Sequence, residues 1–491
     1  MTPEVTGEDR KQGLDTYSNA TKGIRYREER ISYWNSYQRR KSGRYYHEEI
    51  SRIYRFLVPP GQQILELGCG EGDLLAALKP SRGVGVDFSP PMVARARARH
   101  PELVVMQGDV HDLELAETFD YVILSDLVND LWDVQSVIAR IAPLCEPATR
   151  IIINSYSRLW ELPLAAARRL RLVHPFIAQN WLTVEDLENI LYLAGFQSIR
   201  NWEEILFPAR VPGVARLCNS YLARIFPFRL AALTNFMVAR PAPHDTAVEA
   251  RTDSLVSVVV PARNEAGNIA EIFQRVPEMG AGTELIFVEG NSTDDTYHTI
   301  ELAIASHRER DAKLLKQPGK GKGDAVRAGF SAARGDVLMI LDADLTVPPE
   351  DLPRFYEALH SGKGEFINGV RLVYPMEQRA MRFFNLVANK FFSVAFSWLL
   401  GQQIKDTLCG TKVLRKRDYE LLAGNRAYFG DFDPFGDFDL LFGAAKLNLK
   451  LVDIPIRYAE RTYGQTNISR WRHGMVLLRM LVFALRRIKF F

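Results

Sequence analysis

Asp342 and Asp344, separated by a single alanine, follow directly on the apolar run VLMIL. Along an extended segment alternate residues point the same way, so both carboxylates leave the strand end on one side with Ala343 opposite. Beyond a buried strand they repel each other unless a hard cation such as Mg2+ or Mn2+ takes oxygens from both. A nucleotide diphosphate completes that coordination, and the metal neutralises the departing diphosphate. The spacing alone is common; its neighbours make it specific. Pro261-Ala262-Arg263-Asn264-Glu265 follows one apolar run, Glu289 ends the next, and Asn291-Ser292-Thr293-Asp294-Asp295-Thr296 comes after it. Gly319-Lys320-Gly321-Lys322-Gly323-Asp324 opens a helical stretch and can present backbone N–H groups and cations to an anion. It lacks the Gly-x4-Gly-Lys-Ser/Thr order of a P-loop.

A second constellation lies in the first half of the chain. The run ILEL leads into Gly68-Cys69-Gly70-Glu71-Gly72, and Asp87 ends the next run, GVGVD. Glycines at such a turn let a ligand approach the backbone closely, and a carboxylate about 20 residues on can accept from two ribose hydroxyls. Asp109, in QGDV, is placed to recognise an adenine edge. The spacing is GxGxG rather than GxGxxG, with Glu66 just before the turn. An acid there suits a cationic ligand better than a pyrophosphate.

Both constellations need strands to carry them. QILELG, GVGVDF, LVVMQGD, YVILSD and RIIINSY alternate with helical stretches, and so do LVSVVVPA, ELIFVEG, KLLKQPG, VLMILDAD and GEFINGVR. That pattern reads as βαβ units and predicts two parallel-sheet domains. The chain of 491 residues is too long for one ordinary core. Residues 241–253, without apolar periodicity, read as the linker between a domain over 1–240 and one over 254–491. A net charge of +3 argues against a nucleic-acid partner. Four scattered cysteines form neither a disulfide framework nor a zinc site. The opening residues lack an apolar signal-peptide core, and FFSVAFSWLL is about half the roughly 20 residues that span a bilayer. The expectation is a cytoplasmic protein, with an amphipathic C-terminal helix (MVLLRMLVFALRRIKFF) resting at the inner face of the cell membrane.

Residues 45–200 resemble a class I S-adenosylmethionine-dependent methyltransferase. Glu66-x-Gly68-x-Gly70 is similar to its first motif, Asp87 to its ribose-binding acid, and Asp109 with Val110 to its adenine-binding pair. FDYVILSDLVNDLWD is similar to its fourth strand, and the later Gly-Phe turn to its C-terminal hairpin. The resemblance implies S-adenosylmethionine as cofactor and is silent on the acceptor. Ser125-Asp126-Leu127-Val128 stands where base-methylating members carry Asn/Asp-Pro-Pro-Tyr, which argues against that role. His111, Asp126 and Tyr156 are on hand to face an acceptor, and each also has an ordinary structural reading.

Residues 254 to about 470 resemble a family 2 glycosyltransferase of the GT-A fold. The resemblance implies that Pro261, Ala262, Glu265, Glu289 and Lys322 line the nucleotide-sugar pocket, with Asp342 and Asp344 serving diphosphate and metal. Gly290 stands where the family often has a second acid, and Thr346 where some members have a glutamine near the metal. The segments Asn368-Gly369-Val370-Arg371, Asp406 to Lys412, Gly436-Asp437-Phe438-Asp439 and Arg461 to Asn467 resemble the polyprenyl-phosphate branch. That likeness implies Arg371 and Arg382 on the acceptor phosphate, Arg461 over the donor and Asp439 near the reacting centre. A hydroxyl acceptor would need Asp437 or Asp439 as base. The fold class expected is α/β in two domains, an N-terminal Rossmann-like methyltransferase and a C-terminal GT-A nucleotide-diphospho-sugar transferase. The expected function is metal-dependent, inverting sugar transfer to a lipid phosphate or glycolipid, with methylation by the fused domain. The alternatives are transfer to a soluble or polysaccharide hydroxyl with methylation of the same glycan, and a first half that only senses S-adenosylmethionine.

Overall fold

The computed structural model describes residues 25–34, 44–169, 179–243, 254–371, 383–424, 437–457, 463 and 470–490. The chain forms two compact units, Met1–Ala242 and Pro243–Phe491.

The first unit is built on a seven-stranded sheet of order β3-β2-β1-β4-β5-β7-β6. β1 is Gln63–Leu67, β2 Arg82–Asp87, β3 Val104–Gln107, β4 Phe119–Ser125 and β5 Cys145–Tyr156. These five run parallel. β1 and β2 are buried along nearly their whole length, as continuous apolar runs covered on both faces must be. β6 (Phe196–Glu204) and β7 (Thr234–Pro241) finish the sheet, with β7 antiparallel to both β5 and β6. A wholly parallel sheet is therefore corrected to a mixed one. β7 escapes the sequence pattern because TNFMVARP closes a stretch of apolar and basic residues without alternation.

The second unit repeats the principle with different connections. Its seven strands run in the order β10-β9-β8-β11-β13-β12-β14. They are β8 Val256–Ala262, β9 Thr283–Glu289, β10 Asp311–Lys316, β11 Val337–Ile340, β12 Phe366–Val370, β13 Lys412–Arg415 and β14 Leu451–Pro455. Only β13 runs antiparallel to its neighbours, so this sheet too is mixed. Alternation along β8 sends Val259 into one core layer and Val258 and Val260 into the other. The first layer is sealed by the helices Phe383–Leu400, Asp437–Lys446 and Arg470–Ala484. There the Phe396 ring centroid lies 5.1 Å from that of Phe438 and 5.7 Å from that of Phe442. Among the described residues no helix is long and apolar enough to cross a membrane.

Gly329, on the helix Lys322–Ala332, shows how tightly that layer is closed. A methyl group there would run into Val259, which is fully buried and stiff at χ1. Gly329→Ala gains about 1 kcal/mol of helix propensity but overpacks the core, and overpacking costs about 1–3 kcal/mol. The expected net result is a lower urea midpoint for the second unit, and an unchanged or higher midpoint contradicts this packing.

Candidate active sites

The first site forms where β1 and β2 end. Gly68, Gly70 and Gly72 have φ of 71°, 54° and 77°, the left-handed region that glycine enters without penalty. At Gly68 a side chain would also meet Leu127 Cδ1 at 2.8 Å. Asp87 fixes the turn: its Oδ2 accepts from Gly70 N–H at 2.9 Å and its Oδ1 from Ser89 N–H at 2.9 Å. Burial pushes the Asp87 carboxyl up, against those two bonds.

Glu66 is 2% exposed, and burial pushes its carboxyl up to about 8. Its buried Oε2 has no hydrogen-bond partner among the described residues. A buried carboxyl with an orphaned oxygen suits a cationic ligand, whose charge favours its ionised form. Glu66, Gly68, Gly70, Asp87, Asp109 and Val110 all line one cavity of about 310 Å³. Asp109 is already engaged. Its Oδ1 accepts from the backbone N–H of His111 at 2.9 Å and lies 2.6 Å from His111 Nδ1, and Arg27 lies 3.4 Å from its Oδ2. The helix over 25–34 contributes Tyr26, Arg30 and Trp34 to the same cavity, a wall that only the folded contacts reveal.

The second site gathers the loops after β8, β9 and β11. The first two are laced together. Asn264 N–H donates to Ser292 Oγ at 3.0 Å, Thr293 N–H to Asn264 Oδ1 at 2.8 Å, and Glu265 N–H to Thr296 Oγ1 at 2.9 Å. Glu265 and Glu289 are 7% and 5% exposed. Glu265 accepts from Asn268 Nδ2 at 2.8 Å and Glu289 from Ser292 N–H at 2.5 Å, so both carboxylates hold loop geometry.

Beyond β11, Lys322 Nζ lies 2.5 Å from Asp342 Oδ1. Asp344 Oδ1 accepts from Thr346 Oγ1 at 2.8 Å and Thr346 N–H at 3.2 Å. Thr346 thus orients the second carboxylate. Gly410 packs directly on the Asp342–Lys322 pair, where any side chain would collide with both. The sequence alone did not single out Gly410; its place is visible only when the segment after the helix Phe383–Leu400 folds back onto the strand end. The donor set fits a divalent cation: two carboxylates, one of them already against an ammonium that stands in for positive charge. No group of three or more His, Cys, Asp or Glu side chains suited to a metal occurs among the described residues.

The remaining predicted residues divide. Asp439, 11% exposed at its side chain, sits 4.0 Å from Arg327 on the helix that begins at Lys322. The ring of Tyr463, in the segment that includes Arg461, covers Gly267 beside Glu265. Arg371 forms a bidentate pair with Asp406, Nε–Oδ2 2.6 Å and Nη2–Oδ1 2.8 Å. Arg382, Arg461 and the side chain of Asp437 lie outside the described residues.

Residues 257–421 match the model of glycosyl transferase family 2, and residues 64–148 match that of a methyltransferase domain. Among solved structures, glucosyl-3-phosphoglycerate synthase from Mycobacterium tuberculosis is 22% identical, covering 49% of this chain and 82% of that one, with a TM-score of 0.37. Magnesium protoporphyrin IX methyltransferase from Synechocystis PCC 6803 is 19% identical, covering 47% of this chain and 100% of that one, with a TM-score of 0.30. The protein is an enzyme of the transferase class. It joins an N-terminal Rossmann-like methyltransferase domain to a C-terminal GT-A-like family 2 glycosyltransferase domain. The glycosyltransferase domain implies a nucleotide-sugar donor and an acceptor.

Proposed function

We propose that the chain is bifunctional: its second unit transfers a sugar with inversion from a nucleotide sugar, using Mg2+ or Mn2+, and its first unit methylates with S-adenosylmethionine. The observation that carries the sugar step is the contact of Lys322, Asp342 and Gly410 beside Asp344. A metal held by Asp342 and Asp344 would supply charge neutralisation for the departing diphosphate. Lys322 adds a cation to the same oxygens, and the buried Glu265 and Glu289 keep the nucleotide loops in place. Asp439 takes the proton of a hydroxyl acceptor, or only positions an acceptor that is already an ionised phosphate. The first choice of acceptor is a polyprenyl phosphate or glycolipid, in assembly of the cell envelope. The engagement of Arg371 by Asp406 favours the second reading, transfer to a glycan hydroxyl. Transfer of labelled sugar to undecaprenyl phosphate, recovered in detergent, supports the lipid reading, and label only in aqueous glycan supports the other.

The C-terminal helix supports action at a membrane surface. Met475, Leu478 and Val482 are 55%, 44% and 43% exposed, and Arg486 and Arg487 follow them. Such a helix can lie in the interface with its cations at anionic headgroups. The full chain is expected to float with anionic liposomes, and Leu478→Glu with Val482→Glu to leave it behind. A wild-type chain that stays below the vesicles rejects the surface role.

For the first unit, Asp87→Ala is expected to weaken S-adenosylmethionine binding by roughly 1–3 kcal/mol, through lost hydrogen bonds to a ribose. Calorimetry on the full chain checks it, and equal binding by the variant contradicts the assignment.

A further inference from the structure

Asp126 follows β4 with φ 54°, a left-handed conformation unusual for a residue with a side chain. Strained backbone persists where the surroundings hold it, and here they hold the carboxylate. Its Oδ1 accepts from Tyr46 Oη at 2.8 Å and from Asn154 Nδ2 at 2.6 Å. Tyr46 Oη also lies 3.4 Å from Thr234 Oγ1, and Asn154 Oδ1 accepts from Tyr54 Oη at 2.8 Å. Tyr46 and Tyr54 come from the helix Arg44–Leu57, Asn154 from β5 and Thr234 from β7, all buried. Three elements therefore aim one acid.

No described cation forms an ion pair with that acid, and a buried carboxylate without one is costly to ionise. Burial pushes its carboxyl up to about 7; Asp130 adds to the rise, while Tyr46 and Asn154 oppose it. Asp126 nevertheless keeps partial access and lines the same cavity as Glu66 and Asp87. Glu66, Asp109 and Asp130 line it too, against the guanidiniums of Arg27 and Arg30. Arg30 is itself occupied, donating to the Asp130 carbonyl at 2.6 Å and stacked 3.5 Å from the Tyr26 ring centroid. A carboxylate or phosphate acceptor would meet repulsion here. An ammonium would supply the counter-charge that no described cation gives Asp126.

We propose that Asp126 is the acceptor-side base of the methyltransferase domain, and that the acceptor is an alkyl amine entering as its ammonium. This rests on reading the cavity as the S-adenosylmethionine site. The ammonium gives a proton to the Asp126 carboxylate. The amine lone pair then forms the bond to the methyl carbon as the carbon–sulfur bond breaks, leaving its electron pair on sulfur. The products are a methylated ammonium and a neutral thioether, and Asp126 returns its proton to water.

Two probes separate this role from a structural one in calorimetry on the full chain. S-adenosylhomocysteine has nothing at the methyl position, whereas sinefungin carries an amino group there. Wild type is expected to bind sinefungin at least ~10-fold more tightly, the scale of a charge-assisted hydrogen bond. Asp126→Asn is expected to erase that preference while keeping S-adenosylhomocysteine affinity within about twofold, which also shows that the variant folds. Tyr46→Phe, which removes one of the donors but little volume, is expected to reduce the preference partially. Equal affinity of wild type for both probes, or an equal loss of both in Asp126→Asn, overturns the proposal. If wild type binds neither probe, the cofactor reading itself falls.

Discussion

Sugar transfer by Asp344→Ala is expected at no more than about one hundredth of the wild-type rate, the scale of losing charge neutralisation in the transition state. The expectation follows from geometry as well as type. Asp342 already has Lys322 against one oxygen, whereas Thr346 turns the Asp344 carboxylate with two hydrogen bonds. Asp344→Asn keeps the size and the Thr346 contact but not the charge, so it should be nearly as inactive. Lys322→Ala acts differently. It removes the ammonium that competes with a metal for Asp342, yet also a cation that would meet the diphosphate, so donor KM should rise more than kcat falls. EDTA should abolish turnover, and Mg2+ or Mn2+ should restore it. Undiminished turnover in EDTA rejects the metal, and near-normal turnover by Asp344→Asn rejects the charge argument.

What was legible in the sequence was local. The glycine turn after β1, Asp87 at the end of β2, and Asp342 and Asp344 beyond β11 each sit within a few residues of an apolar run that the eye can find. β7 and β13 were not legible. β13 is KVLR, four residues, and it is a strand because β11 and β12 flank it rather than because of its own pattern. β7 is specified by β5 on one side and β6 on the other. Long-range partners were equally hidden. Gly410 belongs to a segment that resembles the polyprenyl-phosphate branch, but its contact with Asp342 shows only in the fold, and Tyr46 is one aromatic among many until its hydroxyl reaches Asp126 across 80 residues of chain. The partner of Arg371 was hidden for the same reason. The arginine's type suits a phosphate, but the residue that claims it lies 35 positions away.

That pairing makes Arg371→Ala a larger change than the loss of a binding contact. Asp406 is 1% exposed and the Arg371 side chain 13%. Asp406 also accepts from the backbone N–H of Arg371 at 3.2 Å and of Leu408 at 3.0 Å, while Asn368 bridges its carbonyl to Asp453. Removing the guanidinium leaves a buried carboxylate without its cation, and breaking such a pair costs about 3–5 kcal/mol. The pH dependence gives the sign. Burial pushes the Asp406 carboxyl up, but Arg371 more than offsets it and holds the group below the usual carboxylate range. A depressed folded value contributes stability above the unfolded value of about 3.9 and loses it as pH falls through the folded one. In Arg371→Ala only burial and the backbone bonds remain, so the carboxyl should rise and protonation should relieve the variant. The urea midpoints of wild type and variant should lie far apart at pH 7 and converge towards pH 4. Arg371→Met with Asp406→Leu, which removes both charges, should recover most of the loss. If Arg371→Ala instead unfolds with wild type at pH 7 and loses only transfer to undecaprenyl phosphate, Asp406 does not hold the arginine, and its fork belongs to the acceptor phosphate.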